Sequence, residues 1–480
     1  MMEMMLTPRR QNRSGVDILN QKKFHMPTAY TILFLLLILV AAATWIIPAG
    51  SYDYVDGVPV AGTYHTVEQN PQGVGDVLKA AFSGFYDAVD VCIFILMVGG
   101  FLGVVMKTGA VDAGVGNVIR LLGGREKWLI PILMLLFGLG GTTYGMWEET
   151  MAFYPLLIPV FLAAGYDAVV GISVILLGAG AGVIASTVNP FATGIAAGFA
   201  GVSLGEGIVL RLLEWVAFEA AAIWFVMAYA AKVKKNPSKS VVGVGAGKIQ
   251  VSMDQQVSFT AKRKVIMALF TLTFLIMVYA VVPFDEMGLS LPALGWWFPE
   301  LSALFLVAGV VIGLIDRMSE EELVETYVAG CADLLGVAFI IGISRGITVL
   351  MNDGAITDTV LHWGEQALSG AGAISFTLLV FALYLPLTIL IPSSSGLATL
   401  SIPIVAPLGK FAGVGGDLVV TAFQSASGLV NIITPTAAVV MGALALGHVP
   451  YDRWVKYVWK LILWFLLLAL AFLVAGVLLG

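Results

Sequence analysis

The stretch GGTTYGMWEET, residues 140–150, is polar and glycine-rich and interrupts an apolar run that extends from 128 to 163. One membrane crossing needs about 20 apolar residues, so this run is too long for a single helix. The stretch IPSSSG, residues 391–396, interrupts a second long apolar run, 375–412, in the same way. Backbone groups inside a bilayer stay paired unless they line a polar cavity. The two runs therefore predict re-entrant hairpins whose polar tips lie within the membrane.

The rest of the chain has the composition of a membrane protein. Of its 480 residues, 59% are hydrophobic and only 12% are charged, which is too few charges for the surface of a soluble protein. Apolar runs of crossing length recur throughout, and they predict an all-α polytopic membrane protein. Full crossings are expected at 29–47, 88–106, 168–200, 208–231, 265–283, 299–315, 334–351, 417–446 and 461–479.

The first apolar run is interpreted as a retained helix rather than a cleaved signal peptide. Its apolar core is too long for a signal peptide, and Trp45 stands where small cleavage-site residues belong. The basic leader before it and the polar, basic stretch in mid-chain are both expected in the cytoplasm. The predicted divisions are a leader at 1–27, a first repeat at 28–231, a linker at 232–264, a linking helix at 265–283 and a second repeat at 299–480.

Comparison of the chain with itself indicates a duplicated unit. Three short matches occur in the same order in both halves, 245 to 248 positions apart: MKTGAV 106–111 with MNDGAI 351–356, PLLIP 155–159 with PIVAP 403–407, and NPFAT 189–193 with TPTAA 434–438. Each unit is predicted to hold four crossings and one hairpin. The predicted hairpins are 128–163 and 375–412, and the predicted broken helices are 168–200 and 417–446.

The placement of basic residues predicts that the second unit is inverted. The segment 107–127 carries Lys107, Arg120, Arg125 and Lys127, whereas the equivalent segment 352–374 carries no Lys or Arg. Basic residues concentrate on the cytoplasmic side of membrane proteins. We therefore expect a bacterial inner-membrane protein with its N-terminus in the cytoplasm and its C-terminus outside. Inverted repeats are typical of secondary transporters.

Two helix breaks join the hairpin tips as candidate binding segments. They are STVNP, residues 186–190, and SASGLVNIITP, residues 425–435. Broken helices expose backbone dipoles and polar side chains that bind solutes and ions. The alternative is a set of proline kinks whose hydroxyls bond back to their own helices. The candidate substrate-binding residues are Glu148, Glu149, Thr143, Asn189, Ser394, Ser395, Asn431 and Thr434. The candidate cation-coupling residues are Thr142, Ser186, Thr187, Ser393 and Ser427.

Charged side chains within the predicted membrane segments are the sharpest candidates, because they are costly there. Glu148 and Glu149 suit a cationic group such as an ammonium or guanidinium, unless one of them is protonated or salt-bridged for stability. Arg345 either binds a substrate carboxylate or neutralises Glu148, Glu149 or Asp333. Asp87, Asp90 and Asp333 lie near helix starts and are interpreted as interfacial. On 208–231, Glu214 and Glu219 are interpreted as a local pair with Arg211.

The tip GMWEET at 145–150, the PLLIP match that follows it and Asn189-Pro190 resemble the YfcC-like branch of the anaerobic C4-dicarboxylate carrier family, within the ion transporter superfamily. The resemblance covers Thr28 to Gly480. It implies an elevator mechanism, in which a scaffold forms a homodimer and the hairpins and broken helices move as a transport domain. Sodium carriers of the superfamily have Ser-Asn-Thr at the tips. This chain differs, with Thr142-Thr143 at one tip and Ser393–Ser395 at the other.

These features favour a carrier over a channel or an enzyme. A channel needs a continuous polar lining, and the four scattered histidines suggest neither a metal site nor a hydrolase centre. The predicted function is exchange of basic amino acids of the arginine or ornithine type. The alternative is Na⁺- or H⁺-coupled C4-dicarboxylate uptake. We expect no cofactor except Na⁺ or H⁺ as a coupling ion, and we expect membrane lipids, the solute and a second copy as partners, with no nucleic acid.

Overall fold

The computed structural model describes residues 29–111, 113–114, 125–203, 205–243, 259–281, 291–296 and 298–479. Within these ranges the chain forms seventeen α-helices and two antiparallel sheets of two short strands each. The predicted leader, residues 244–258 of the predicted linker, Arg120 and Gly480 lie outside the described residues.

The elements follow one another in this order. The helices are α1 Ala29–Ala43, α2 Val74–Asp87, α3 Val89–Lys107, α4 Leu129–Thr143, α5 Tyr154–Ala163, α6 Ala168–Ile184, α7 Ile195–Ala200, α8 Ile208–Lys235, α9 Ala261–Val281, α10 Phe298–Asp316, α11 Glu320–Asp353, α12 Thr357–Leu368, α13 Ala373–Leu390, α14 Ser394–Phe411, α15 Gly416–Asn431, α16 Ala438–Leu446 and α17 Tyr451–Leu479. The strands are β1 Gly50–Ser51, β2 Tyr54–Val55, β3 Val58–Pro59 and β4 His65–Thr66. Single 3₁₀ turns lie at Glu126–Trp128, Glu148–Ala152 and Pro237–Lys239, and a π-helical turn lies at Pro190–Gly194.

Five of the described helices are long and apolar enough to cross a membrane, namely α3, α10, α11, α13 and α17. The helix α11 is longer than its predicted crossing, 334–351, because it is one uninterrupted helix of 34 residues. Ser319 caps it by accepting a hydrogen bond from the Glu322 amide at 3.1 Å. Glutamates in its first turn complement the positive end of the helix dipole. The apolar pattern revealed only the second half of this helix, since its first half is polar.

Both predicted hairpin segments contain a pair of helices around a polar tip. In the first, α4 ends at Thr143 and α5 begins at Tyr154, and Glu148–Ala152 forms a 3₁₀ turn between them. In the second, α13 ends at Leu390 and α14 begins at Ser394. We call 129–163 and 373–411 the first and second hairpin segments.

Both predicted helix breaks are present as well. The helix α6 ends at Ile184, and the chain becomes helical again at Pro190. The freed amides of Thr187 and Val188 donate to the Thr142 carbonyl at 2.9 and 3.2 Å, so the break is tied to the first hairpin segment. The helix α15 ends at Asn431 and α16 begins at Ala438. Pro190 and Pro435 account for the breaks, because proline has no amide to continue a helix.

The helices pack in two groups. The α11 group contains α1, α2, α3, α10 and α11, with α9 packed on α10. The hairpin group contains α4 to α8 and α13 to α17, in which α4 packs on α6, α13 on α15 and α6 on α15. The two groups meet where α11 packs on α16 and where α3 packs on the 3₁₀ turn Glu148–Ala152.

Glycines set the closest contacts within the α11 group. A Cβ on Gly330 would lie 2.4 Å from the Gly99 carbonyl oxygen, and a Cβ on Gly84 would lie 2.1 Å from the Gly342 carbonyl oxygen. A residue larger than glycine at Gly330 would therefore force α11 away from α3, and one at Gly84 would force α11 away from α2. The glycines of these two helix contacts are spaced like the repeat matches in the sequence. Gly84 and Gly330 are 246 positions apart, and Gly99 and Gly342 are 243 positions apart.

The strands between α1 and α2 fasten this segment to α12. The Tyr52 amide donates to Asp358 at 3.0 Å, and the Tyr52 hydroxyl donates to Glu365 at 2.8 Å. The Tyr54 hydroxyl also donates to Asp358, at 2.8 Å. Burial, and next the hydrogen bond to Asp358, raise the pKa of Tyr54. The hydroxyl therefore stays protonated and keeps its role as a donor.

Candidate functional site

A cavity of about 230 Å³ lies between the two helix groups, and we call it the polar cavity. It receives side chains from both hairpin tips, from both helix breaks and from the facing ends of α2, α3 and α11. The residues that line it are Asp87, Ala88, Asp90, Val91, Gly145, Trp147, Glu148, Glu149, Val183, Asn189, Ala192, Phe298, Arg345, Pro392, Ser393, Ser394, Ser395 and Asn431.

The first tip contributes the two glutamates, which have different surroundings. Glu149 is 7% exposed, and its Oε2 accepts a hydrogen bond from the Trp147 amide at 3.1 Å. Its carboxylate is therefore directed at the backbone of its own tip. Glu148 is half-buried and shares with Arg345 the wall of a further, water-sized cavity of about 30 Å³. Of the two carboxylates, that of Glu148 is the more available to a solute.

Gly145 allows Asn189 to approach the first tip. Gly145 has a φ of +76°, and a Cβ there would lie 2.5 Å from the Asn189 amide nitrogen. Both facts require glycine, because other residues disfavour this φ and their side chains would clash with Asn189. The Asn189 Oδ1 accepts a hydrogen bond from the Ala192 amide at 3.3 Å. The first break and the first tip thus form one surface.

The second tip presents the N-terminus of α14 to the cavity. Ser393 caps this helix, since its Oγ accepts a hydrogen bond from the Gly396 amide at 3.2 Å. Ser394 and Ser395 lie in the first turn and line the cavity. A helix N-terminus favours negative charge, because its first amides have no partners within the helix. This side of the cavity therefore suits an anionic group.

Asn431, at the end of α15, contributes an acceptor that has no protein partner. Its Oδ1 is buried and receives no hydrogen bond from the described residues. Such buried acceptors are costly unless something bonds to them. The amide oxygen is therefore free to accept a hydrogen bond from a solute.

The α11 group brings one basic side chain and two acidic side chains to the cavity. The Arg345 Nε lies 3.9 Å from Asp87 Oδ2, and Asp90 lines the same wall. Asp333, which the sequence offered as another partner of Arg345, lines a different cleft. Among the described residues, the polar cavity is thus lined by four carboxyl groups and one guanidinium, so acidic side chains outnumber basic ones.

A family model described as DcuC, C4-dicarboxylate anaerobic carrier, matches residues 26–478. The chain belongs to this family. It is a membrane transporter, and the family resemblance seen in the sequence is confirmed.

Two relatives and one solved structure are similar to this chain. An uncharacterized protein of Haemophilus influenzae is 35% identical, over 95% of this chain and 98% of its own length. A protein of Escherichia coli (strain K12), named provisionally as a basic amino acid antiporter, YfcC, is 30% identical over 91% of this chain and 93% of its own length. The YdaH transporter of Alcanivorax borkumensis is 16% identical, with a TM-score of 0.42, and covers 92% of this chain and 98% of that chain.

Several candidate residues of this DcuC family member do not line the polar cavity. The Thr142 hydroxyl donates to the Ala185 carbonyl at 2.8 Å, and the Thr187 hydroxyl donates to the Thr142 carbonyl at 3.0 Å. Thr143 bonds back to the Leu139 carbonyl at 2.5 Å. Thr143 thus bonds back to its own helix, as in the alternative interpretation, whereas Thr142 and Thr187 join the end of α4 to the break after α6.

Three further hydroxyl candidates, Ser186, Ser427 and Thr434, are also absent from the cavity lining. The hydroxyls of Ser186 and Thr193 are paired at 2.7 Å, and those of Thr434 and Thr436 at 2.9 Å. Ser427 is buried, and its Oγ has no partner among the described residues. Of the five cation-coupling candidates, Ser393 alone lines the polar cavity in the described part of the chain.

A much larger cleft, of about 990 Å³, lies farther along the contact between the helix groups. It runs between α3 and α11 on one side and α16 and the start of α17 on the other, and its walls are mostly apolar. The water-sized cavity lies between this large cleft and the polar cavity, because its walls include Ile341 of α11 and Val439 of α16. Within the described residues, no group of His, Cys, Asp or Glu side chains could hold a metal ion.

Sequence reasoning missed Asp87 and Asp90 as cavity residues. Asp87 ends α2 and Asp90 lies in the first turn of α3. The apolar pattern assigned both residues to the membrane interface. Their place in the cavity follows from the packing of α2 and α3 on α11. The one signal in the sequence was the pair of acidic residues beside the start of an apolar run.

Proposed function

We propose that this protein is a secondary transporter of the bacterial inner membrane that exchanges basic amino acids of the arginine or ornithine type. The observation that carries the proposal is the set of ionisable side chains in the polar cavity, where four carboxyl groups accompany one guanidinium. A solute with a net positive charge would offset this excess. The name of the Escherichia coli relative agrees with the proposal.

The two ends of the cavity suit the two ends of such a solute. The cationic side chain would bind Glu148, with Asp87 and Asp90 on the facing wall. The α-carboxylate would bind the N-terminus of α14, with the hydroxyls of Ser394 and Ser395 as donors. Asn431 would accept a hydrogen bond from the α-ammonium group. The volume of about 230 Å³ is below the range of about 300–1,000 Å³ for drug-sized ligands, so it suits a small solute.

Movement by an elevator mechanism is part of the proposal. The hairpin group supplies most of the polar lining, and the α11 group faces it across a single interface. In this mechanism the hairpin group carries the solute while the α11 group stays fixed and forms a homodimer. The corresponding helices of the two halves support an inverted repeat: α2 and α3 together span 74–107, and α11 spans 320–353. Inverted repeats permit such alternation.

The second candidate is a C4-dicarboxylate carrier coupled to Na⁺ or H⁺. The description of the matching family and Arg345 in the cavity favour it. Against it stands the repulsion that a doubly charged anion would meet from four carboxylates.

A substrate panel in proteoliposomes tests the proposal. Vesicles loaded with arginine are given labelled arginine, ornithine, leucine or succinate outside, with and without Na⁺. We expect accumulation of arginine and ornithine that depends on the internal amino acid, and none of leucine or succinate. Uptake of succinate without exchange of arginine would replace the proposal by the dicarboxylate function.

A further inference from the structure

The helix α8 carries three charged side chains on its buried face, away from the polar cavity. Arg211 is 1% exposed, Glu214 is fully buried and Glu219 is 2% exposed. The sequence suggested that they form one local group. Their surroundings separate Glu219 from the other two.

Glu214 has polar partners. Its Oε1 accepts a hydrogen bond from the Ser425 hydroxyl at 2.8 Å, and Arg211 lies one turn earlier on the same helix. Glu219 has none, since neither of its carboxyl oxygens receives a hydrogen bond from the described residues. Arg211 is eight positions away, or about 12 Å along the helix axis.

In the part of the chain that the structure describes, the elements packed on α8 bring no charge near Glu219. The helices α4 and α6 have no charged or titratable side chain along their whole lengths. The helix α15 has only Asp417, in its first turn. The titratable side chains of α17 all lie in its first ten residues: Tyr451, Asp452, Arg453, Lys456, Tyr457 and Lys460. The ring of Phe218, next to Glu219, contacts that of Phe465 at 4.7 Å, beyond these residues. Lys239, in the 3₁₀ turn, packs at the other end of α8.

An ionised carboxylate is very costly in such a place, because it is desolvated and has no donor or cation beside it. A neutral carboxylic acid avoids most of that cost. The surroundings of Glu219 therefore favour its protonated form.

The position of α17 that corresponds to Glu219 in the proposed repeat carries an apolar side chain. Counted from the starts of α8 and α17 at 208 and 451, the positions of Arg211, Glu214 and Glu219 correspond to those of Trp454, Tyr457 and Ile462. An apolar residue thus fills the equivalent of Glu219. The acid of Glu219 is therefore not a shared feature of the two corresponding helices.

The carboxyl of Glu219 also touches the first hairpin segment. A Cβ on Gly138 of α4 would lie 2.4 Å from Glu219 Oε2, and a Cβ on Gly182 of α6 would lie 2.2 Å from the Gly138 carbonyl oxygen. Gly138 is one turn before Thr142, which bonds to the break after α6. Glu219 therefore lies against the turn of α4 that supports the first tip.

We propose that Glu219 is a proton-binding site, separate from the polar cavity, whose protonation is linked to the movement of the first hairpin segment. In the step, the carboxylate takes one proton from water and becomes the neutral acid. The protonated form stabilises the closed contact with Gly138. The ionised form needs water or a donor and therefore favours a conformation in which this contact opens. The link to transport rests on the proposed exchange function, and it makes the proton the coupling ion.

The first test measures the proton itself. Infrared spectra of the purified protein near neutral pH are compared for wild type, Glu219→Gln and Glu214→Gln. We expect a carbonyl band of a protonated carboxylic acid that is absent in Glu219→Gln and retained in Glu214→Gln. A spectrum of Glu219→Gln with all such bands intact overturns the proposal, whatever the protein transports. Melting temperatures verify that both variants fold.

The second test measures coupling in proteoliposomes with a trapped pH-sensitive dye. In wild type we expect addition of arginine to drive a proton flux, and its rate to change by up to about tenfold per pH unit, the limit for a single proton. Glu219→Gln should exchange arginine without proton flux and with a flat pH profile, and Glu214→Gln should keep both. Exchange without any proton flux in wild type overturns this proposal alone, whereas absence of exchange contradicts the proposed function and leaves the infrared result to decide on Glu219.

Discussion

Glu148 and Glu149 are neighbours in the chain, but their carboxylates face different partners. Glu149 accepts a hydrogen bond from the Trp147 amide within its own tip, and Glu148 faces Arg345 across a water-sized cavity. A glutamine at either position keeps the shape and an acceptor oxygen while it removes the charge. The pair is therefore a matched test of which carboxylate meets a cationic solute.

We predict that Glu148→Gln weakens arginine binding and that Glu149→Gln leaves it nearly unchanged. Loss of one charge-assisted hydrogen bond at a desolvated site costs about 1.5–3 kcal/mol, or roughly tenfold to over a hundredfold in affinity. Glu149→Gln still accepts from Trp147 through its amide oxygen. Binding is measured by titration of the purified protein, with melting temperatures as the control for folding. Equal losses in both variants would contradict the assigned difference, and unchanged binding in both would remove the cationic site.

The roles of the polar side chains could be read from the sequence only in part. The tip glutamates stood out because charge within an apolar run is rare. The threonines and serines could not be sorted into structural and solute-binding residues. A hydroxyl that bonds to a helix carbonyl and one that faces a solute occur in the same kind of sequence. Thr142 and Thr187 proved to bond across the break. The role of each hydroxyl depends on contacts between segments that lie 45 residues apart in the chain.

At the scale of elements, the second tip depends on how α14 begins. Ser393 is its N-cap, and two further serines follow in the first turn. The sequence offered Ser393 as a ligand of a coupling cation. Its Oγ accepts a hydrogen bond from the Gly396 amide at 3.2 Å, which is a structural role that a helix N-terminus requires.

We predict that Ser393→Ala destabilises the protein and leaves solute affinity and the response to Na⁺ unchanged. Replacing a serine N-cap by alanine costs about 0.5–2 kcal/mol, which is measured as a lower melting temperature. Ser394→Ala is the matched control, because Ser394 lines the cavity without capping the helix. It should lower arginine affinity and change the melting temperature less. If Ser393→Ala instead abolished a Na⁺ dependence at unchanged stability, Ser393 would be an ion ligand.

The elements themselves were largely predictable where proline or glycine interrupts an apolar run. The breaks near Pro190 and Pro435 follow from the missing amide of proline. The full length of α11 was not predictable from the apolar pattern, because Glu320 to Glu325 belong to the same helix but carry charge. The presence of Asp87 and Asp90 in the cavity depends on the close packing of α2 and α3 on α11, which glycines allow. No local pattern encodes that contact.

At the scale of the whole molecule, the proposed inversion of the two halves explains the uneven placement of charge. Lys107 ends α3, and Arg125 and Lys127 lie between α3 and α4, whereas the equivalent segment between α11 and α13 has no basic residue. If the halves are inverted, these segments face opposite sides of the membrane, and the positive-inside rule accounts for the difference. If the halves are parallel, the difference has no such cause. The sidedness of equivalent positions therefore decides between the two arrangements.

We predict that cysteines at Lys127 and Ser369, which lie in equivalent segments and are both exposed, react from opposite sides of the membrane. The background carries Cys92→Ala and Cys331→Ala, so that each variant has one thiol. An impermeant maleimide added to intact spheroplasts should label Ser369→Cys at once and label Lys127→Cys only after lysis. Lys239→Cys should behave like Lys127→Cys, and Leu479→Cys, close to the predicted outer C-terminus, should behave like Ser369→Cys. Labelling of Lys127→Cys and Ser369→Cys from the same side would remove the inverted repeat, and with it the basis for alternating access between two exchanged halves. Labelling of Lys239→Cys and Leu479→Cys from the same side would instead show that one crossing in the second half was miscounted. The inversion inferred from Lys127→Cys and Ser369→Cys would then still hold.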